Sequence, residues 1–211
     1  GVLPMLDKSH AEYYLENCNN YKIVKFVPAS GAATRMFKDL FEYLASGTAN
    51  KTSDLVLNNI ERFAFWPELQ RKLPQNASDQ DKIQYLISEC GLNYGNMPKA
   101  LLAFHKYNDE VRTAAAEHLI EGALYAQSRN NVNIHFTVSP EHRSGFDKLL
   151  ENIVPIYESR FGVKYNISMS TQKPSTDTIA VNPDNTPFRN QDGTLLFRPA
   201  GHGALIENLN D

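Results

Sequence analysis

The apolar residues of this chain form three short runs, separated by stretches with helical spacing. The runs at 23–27, 133–139 and 164–170 are rich in β-branched and aromatic residues, which is typical of strands. Helical spacing follows at 33–45 and at 146–161, where Pro155 predicts a bend or a restart. Strand, helix, strand, helix, strand in this order predicts an α/β fold with a mixed, mostly parallel sheet and helices on both faces.

Residues 46–95 interrupt this alternation. The segment has helical patterns at 55–65, 69–73 and 79–90 and no strand pattern between them. We therefore predict a helical insertion at 46–95 inside a single domain that spans residues 1–211. Towards the end of the chain, turn pairs at 184–185 and 192–193 predict a hairpin or loop excursion, and a last helix begins near residue 204.

Composition narrows the class of protein. The chain has 211 residues, a net charge of -3 and no run of basic residues, which argues against a nucleic-acid partner bound through bulk charge. No apolar stretch reaches the roughly 18 residues of a membrane span, so we expect no membrane partner. Cys18 and Cys90 match no metal or redox spacing and predict reduced thiols in a cytoplasmic protein, although a disulfide between them is the alternative.

A loop of small residues after the first strand is the strongest candidate for a site. It contains Ser30 and Gly31, and the following helix is expected to begin near Ala32, with Arg35 and Lys38 in about its first turn. Small side chains would let a ligand approach the backbone amides, and a helix start favours an anion, so a phosphate chain is the expected guest. A structural turn that binds no ligand is the alternative, since many α/β proteins have such loops.

Four further motifs follow in a fixed order. They are Pro98-Lys99 before a short hydrophobic segment, Ser139 at the end of the second strand, Gln172 after the third, and Pro199-Ala200-Gly201-His202-Gly203 before the last helix. In an open α/β sheet, ligands bind outside the carboxyl ends of the strands, so the loops at 30–35 and 199–203 are both candidates for that rim.

This ordered set resembles the sugar-nucleotide pyrophosphorylases, and in particular the UDP-sugar pyrophosphorylase branch. The opening loop of that family has the form G-G-x-G-T-R, to which residues 30–35 (SGAATR) are similar, and its Pro-x-Gly-His-Gly loop is similar to residues 199–203. The resemblance covers about residues 22–211 and implies a Rossmann-like, three-layer α/β/α fold of the GT-A-like nucleotidyltransferase type. The helical insertion is unlike the standard enzymes and suggests a separate bacterial branch.

The resemblance implies a reaction and a set of site residues. A nucleotidyl group would pass from a nucleoside triphosphate (NTP), with UTP favoured, to a sugar 1-phosphate, and pyrophosphate would be released. Arg35 would hold the leaving pyrophosphate and Lys99 would bridge the reacting phosphates. The residues expected to bind the nucleotide are Ser30, Gly31, Ala32, Ala33 and Thr34 around its phosphates, and Gln172, Gly201, His202 and Gly203 around its base and ribose.

Each of these roles has a plainer alternative. Arg35 and Lys99 would otherwise be solvated surface charges, and His202 a buried structural histidine. Ala32 and Ala33 replace glycines of the family, and their methyl groups are expected to crowd a phosphate. A non-catalytic nucleotide or sugar-nucleotide binding protein is therefore the alternative function, and a generic α/β interaction domain is a third.

The resemblance also implies a magnesium ion. In the family, its main ligand is an aspartate on a strand after the Gly-His-Gly helix, which here would lie beyond Asp211. We therefore expect no metal ligand within this chain and expect residues 1–211 to be the N-terminal part of a longer protein, incomplete for catalysis by itself. The sequence leaves the sugar, the base and the oligomeric state open.

Overall fold

A computed structural model describes residues 7–198 and 202–210, with only the backbone at residue 202. Its helices are α1 (Lys8–Asn17), α2 (Lys38–Ser46), α3 (Lys51–Asn58), α4 (Trp66–Lys72), α5 (Asp79–Ile87), α6 (Ala114–Tyr125), α7 (Arg143–Phe161) and α8 (Ile206–Leu209). Its strands are β1 (Val24–Pro28), β2 (Ala103–Lys106), β3 (Val111–Thr113), β4 (Gln127–Ser128), β5 (Asn131–Val138), β6 (Lys164–Thr171), β7 (Thr178–Ile179) and β8 (Phe197–Arg198).

The main sheet is built around β5, which pairs in parallel with β1 and with β6. Val27 of β1 lies opposite Phe136, and Phe136 lies opposite Met169 of β6. The short strand β4 pairs antiparallel with the start of β5, so the sheet is mixed and mostly parallel. These three longer strands are the three apolar runs of the sequence, and the predicted α/β class with a mostly parallel sheet is confirmed.

One face of the sheet is apolar and is covered by α6 and α7. Alternate residues of β5, such as Val132, Ile134 and Phe136, are fully buried there and pack in one cluster with Leu119 of α6 and Phe146 of α7. Each large side chain removed from water in this way contributes about 1.5–3 kcal/mol to folding. The apolar face therefore accounts for the docking of both helices.

The opposite face of the sheet is polar. His135 of β5 hydrogen-bonds through Nδ1 to Ser168 Oγ (2.8 Å) and through Nε2 to Ser170 Oγ (2.7 Å), and it stacks on Phe26. Within residues 7–198 and 202–210, this face carries the short helix α8 at one end rather than a layer of helices. The predicted three-layer arrangement is thus only partly present, because a hydrophilic face gives helices no apolar surface to bury.

Helices α2 to α5 have an apolar cluster of their own. It includes Leu40, Leu69 and Leu86, and it extends from Ala33 to Leu102, beyond both ends of the predicted insertion at 46–95. The two clusters share no buried residue. The helical unit is consequently built on a separate core, to which residues before and after the predicted insertion contribute.

Local differences from the predicted elements have identifiable causes. The helix expected from about residue 33 begins at Lys38, because residues 34–37 form a turn before it. Helix α7 continues through Pro155, which lies on the exposed side, where the carbonyl group left unpaired can be solvated. The segment after residue 101 forms a two-stranded hairpin, β2–β3, before α6 begins at Ala114.

Candidate functional site

The carboxyl ends of β1, β5 and β6 meet at one edge of the sheet. The backbone ladder continues past the strands, since Ala29 N–H donates to Thr137 O (2.8 Å) and Gln172 N–H donates to Val138 O (3.3 Å). Ser30, Ser139 and Gln172 therefore follow three neighbouring strands at the same edge. We call this the carboxyl edge, the position at which open parallel sheets bind ligands.

The small-residue loop after β1 is hydrogen-bonded to the segment that carries Lys99. Ala33 N–H donates to Met97 O (3.0 Å), and Lys99 N–H donates to Gly31 O (3.1 Å). Together these bonds form an antiparallel bridge centred on Ala32 and Pro98. Two of the sequence motifs are thus held side by side by the backbone.

The same loop contacts the segment after β6. The hydroxyl of Ser30 donates to Gln172 Oε1 across 3.2 Å, and both residues are partly buried. The side-chain nitrogen of Gln172 is buried and has no hydrogen-bonding partner in the described part of the chain. A ligand that offers an acceptor, such as a carbonyl oxygen of a base, would complete its hydrogen bonding.

Several amides of the loop lack a protein acceptor. The N–H groups of Ser30, Gly31, Ala32 and Thr34 make no hydrogen bond to any of the described residues. Gly31 faces open space, because a Cβ built on it would meet no atom within 4 Å. The loop consequently has amide donors without a protein partner and open space beside them, and its role as a phosphate cradle stays a prediction.

Two expectations about this loop are wrong. Ala33 is fully buried in the cluster of the helical unit, so its methyl group points away from the loop surface and cannot crowd a ligand. Its N–H is already bonded to Met97 O and is not free for a phosphate. Arg35 precedes α2 instead of lying in its first turn, so the positive end of that helix dipole lies further from the loop than predicted.

The candidate catalytic cations are both exposed. Arg35 lines a shallow hollow of about 450 Å³ together with Thr34 and Lys38, and Lys38 pairs with Glu42 at 3.5 Å. Lys99 is exposed where its backbone contacts Gly31. Neither Arg35 nor Lys99 forms an ion pair with a described carboxylate, so both are free to meet an anion.

A serine and a histidine at the end of β5 form a link that the sequence reasoning missed. His142 Nε2 lies 2.8 Å from Asn96 O, and because a carbonyl oxygen only accepts, this nitrogen must carry the proton. In the neutral imidazole, His142 Nδ1 then accepts from the hydroxyl of Ser139, also at 2.8 Å. The link ties the carboxyl edge to the segment that carries Lys99. A serine three residues before a histidine at a strand end was the signal available in the sequence.

The last helical segment docks beside Gln172. Asn208 donates to Thr171 O (3.0 Å) and to Ser170 Oγ (2.8 Å), and Thr176 Oγ1 donates to Ala204 O (2.9 Å). Lys173, which the sequence ranked lower, pairs with Glu207 at 3.3 Å.

Of the second glycine loop, Gly203 is exposed with open space beside it. Pro199, Ala200, Gly201 and the side chain of His202 lie outside the described residues. The loop's own contribution therefore stays a prediction, but the segment that follows it reaches the carboxyl edge.

Buried polar atoms without a partner concentrate at this edge. In the described ranges they are Thr137 Oγ1 at the end of β5, Gln172 Nε2 after β6 and Asn208 Oδ1 of α8. Leaving such an atom unsatisfied costs about 1–3 kcal/mol, so each of the three needs a partner, which an ordered water or a polar ligand group would supply.

The described residues do not fit a magnesium site. No three carboxylate, histidine or cysteine side chains among them come together as metal ligands. The side chains at the carboxyl edge are hydroxyls, amides and cations, whereas magnesium prefers carboxylates.

No helix in the described ranges is long and apolar enough to cross a membrane.

Comparison with known proteins gives a family. No curated protein matches the chain, and no solved structure does. A family model described as "Domain of unknown function (DUF4301)" matches residues 4–211. Since that match extends over nearly the whole chain, the protein belongs to the DUF4301 family.

Proposed function

We propose that this protein acts in nucleotidyl transfer, joining an NTP, with UTP favoured, to a sugar 1-phosphate on a GT-A-like, Rossmann-like fold. The observation that carries this proposal is the meeting of three distant motifs at one sheet edge. Gly31 is bonded to Lys99 through the backbone, and Ser30 of the same loop is bonded to Gln172. Because loops after neighbouring parallel strands meet at one edge in any such sheet, the specific support is these two contacts, between Gly31 and Lys99 and between Ser30 and Gln172.

The chemistry of nucleotidyl transfer suits such a site. An oxygen of the sugar phosphate attacks the α-phosphorus, a new O–P bond forms, and the bond to the β-phosphate oxygen breaks. Pyrophosphate leaves with the electron pair of that bond. The protein must position two anions and stabilise the charge that develops between them.

The residues of the carboxyl edge divide these tasks. The free amides of Ser30, Gly31 and Thr34 hold phosphate oxygens of the nucleotide, and Lys99 supplies a compact positive charge beside them. Arg35, exposed just after the loop, receives the leaving pyrophosphate. Gln172 reads the base or ribose through its unpartnered side-chain nitrogen. Because the described residues do not fit a magnesium site, no step is assigned to the metal.

Pyrophosphate release tests the proposal directly. The protein is incubated with magnesium and with pairs of NTP and sugar 1-phosphate, and pyrophosphate is followed with time. Lys99→Ala should lower the rate about 10²–10³-fold, the usual effect of removing one group that stabilises transition-state charge. Lys51→Ala, an exposed lysine of α3, is the matched control and should leave the rate unchanged. Absence of turnover with every pair would contradict catalysis.

A separate observation, the exposed methyl group of Ala32, favours a second function, which is nucleotide binding without catalysis. Ala32 is exposed on the loop, where the pyrophosphorylases that the sequence resembles have a glycine. If its methyl group keeps the phosphates from the reactive geometry, the protein binds nucleotide without turning it over. Calorimetry with UTP that shows binding, together with no pyrophosphate from any pair, would favour this function. Ala32→Gly would then be expected to tighten UTP binding.

A further inference from the structure

The helical unit contains an apolar pocket of about 310 Å³. Its walls come from α2, α3 and α5 and include Phe37, Val56, Leu86 and Tyr94. Phe37 and Phe65 flank Tyr94, with ring centroids 6.3 Å and 5.8 Å from the Tyr94 ring. The volume lies at the lower end of the range of about 300–1,000 Å³ found for small-molecule sites.

A second hollow of about 360 Å³ adjoins the first. The two share Phe63, Ala64 and Phe104 as lining residues, so they lie side by side. The remaining lining of the second hollow is polar and consists of Arg62, His105, Lys106 and Tyr107, of which Arg62 and Lys106 are cations. An apolar pocket therefore lies beside a rim that carries two positive charges.

The two positive charges of this rim are free to bind an anionic ligand. Arg62 and Lys106 are exposed, and neither pairs with a carboxylate among the described residues, although Arg62 NH1 donates to Asn59 Oδ1 at 3.2 Å. The nearby carboxylate of Glu117 is occupied. It bonds to His105 Nδ1 and to the Tyr107 hydroxyl, each at 2.8 Å, and it pairs with Arg112. The rim thus keeps a net positive character.

We propose that the two hollows form one binding site for a small amphipathic anion. Its apolar body, an alkyl chain or an aromatic ring, occupies the pocket beside Tyr94 and Leu86. Its single carboxylate, sulfonate or phosphate group lies at the rim between Arg62 and Lys106. Charge complementarity at the rim excludes cations and disfavours neutral compounds of the same length.

This site is separate from the carboxyl edge and does not depend on the proposed nucleotidyl transfer. Its lining comes from the helical unit and the β2–β3 hairpin, whereas the phosphate loop lies at the end of β1. Met36 and Phe37, which line the pocket, directly follow Thr34 and Arg35 in the sequence. An anion bound in the pocket would therefore contact the turn that leads out of the loop after β1.

Calorimetric titration with octanoate tests the proposal, with octanol as the neutral ligand of equal chain length. Octanoate should bind about fivefold more tightly than octanol, since an exposed ion pair is worth at most about 1 kcal/mol. The Arg62→Ala, Lys106→Ala double variant should abolish this preference while leaving octanol binding unchanged. Both side chains are exposed, so the variant should keep its fold.

A cavity-filling variant tests the pocket. Val56→Phe should weaken both ligands at least tenfold, and its thermal midpoint reports whether it folds. Lys148→Ala, an exposed lysine on α7, is the matched control and should bind both ligands normally. The proposal is overturned by absence of octanoate binding, by equal binding of octanoate and octanol, or by octanoate binding that neither Val56→Phe nor the double charge variant alters.

Discussion

The hydroxyl of Ser30 lies 3.2 Å from Gln172 Oε1, and this hydrogen bond joins the loop after β1 to the segment after β6. The two strands lie on opposite sides of β5, so the bond crosses the end of the central strand. It orients the Gln172 amide so that its nitrogen remains without a partner among the described residues. The pair therefore holds a buried donor without a protein partner next to the carboxyl edge.

The first prediction concerns this donor. Gln172→Ala should weaken UTP binding about tenfold, because a hydrogen bond in a desolvated site is worth about 0.5–1.5 kcal/mol and the pair also positions Ser30. Calorimetry with UTP measures the change. Gln70→Ala on the exposed side of α4 is the control. Unchanged UTP affinity in Gln172→Ala would show that Gln172 does not contribute to UTP binding.

The second prediction uses the open space beside Gly31. Gly31→Ala should change the free energy of unfolding by less than about 0.5 kcal/mol, since the new methyl group meets no protein atom. Gly31→Asp should leave folding similarly intact but should greatly weaken NTP binding, because it places a negative charge where the phosphates bind. Chemical denaturation and nucleotide titration measure the two effects. Equal nucleotide affinity in wild type and Gly31→Asp would show that phosphates bind elsewhere.

The third prediction concerns the link from Ser139 through His142 to Asn96. His142→Ala removes both hydrogen bonds and should cost about 1–3 kcal/mol of folding stability. It should also speed hydrogen exchange at the Lys99 amide, which the link holds against Gly31 O. Mass spectrometry of exchange measures this local effect. Glu151→Ala, an exposed position further along α7, should leave the exchange at Lys99 unchanged.

The fourth prediction is a dependence of stability on alkaline pH. Burial raises the pKa of Tyr165 to about 12, and its hydroxyl donates to Leu119 O (2.9 Å) in the core. In the unfolded chain the group titrates near the usual tyrosine pKa of about 10. The folded state therefore holds this proton more tightly, so the contribution is complete below pH 10 and is lost as pH rises towards 12.

Tyr165→Phe isolates that contribution. The variant should cost about 1 kcal/mol at neutral pH, the usual net value of a hydrogen bond, and should lose less stability than wild type between about pH 10 and 12. Denaturation followed across this range measures both. Tyr125→Phe alters a tyrosine that is exposed and serves as the comparison. Parallel pH profiles of wild type and Tyr165→Phe would contradict the assignment.

The sheet was predictable because its signal is local and strong. Residues such as Val132, Ile134 and Phe136 are apolar because they face α6 and α7, and that requirement is visible in the sequence. The polar second face was equally present in the sequence, as the alternation of Asn166, Ser168 and Ser170 with apolar residues in β6. Parallel sheets usually have helices on both faces, and this general rule outweighed the polar pattern of β6 in the prediction.

The start of α2 and the hairpin β2–β3 were harder to predict for tertiary reasons. Ala33 looks like a helix residue, but its N–H bonds to Met97 O, far away in sequence, which holds the chain out of the helix. The site was predictable as a set of motifs and not as a set of contacts. Spacing along the chain carries no information on which residue, such as Asn96 for His142, will supply a partner.

The bridge at Ala32 and Pro98 also joins the two apolar cores. Ala29 belongs to the cluster of the sheet and Ala33 to that of the helical unit, while on the paired antiparallel segment Met97 packs against the cluster of the helical unit and Ala100 belongs to that of the sheet. Two hydrogen-bonded backbone segments therefore run side by side between the two cores. A nucleotide that binds both Gly31 and Lys99 would make this connection more rigid. Any rotation of the helical unit against the sheet would bend the same two segments.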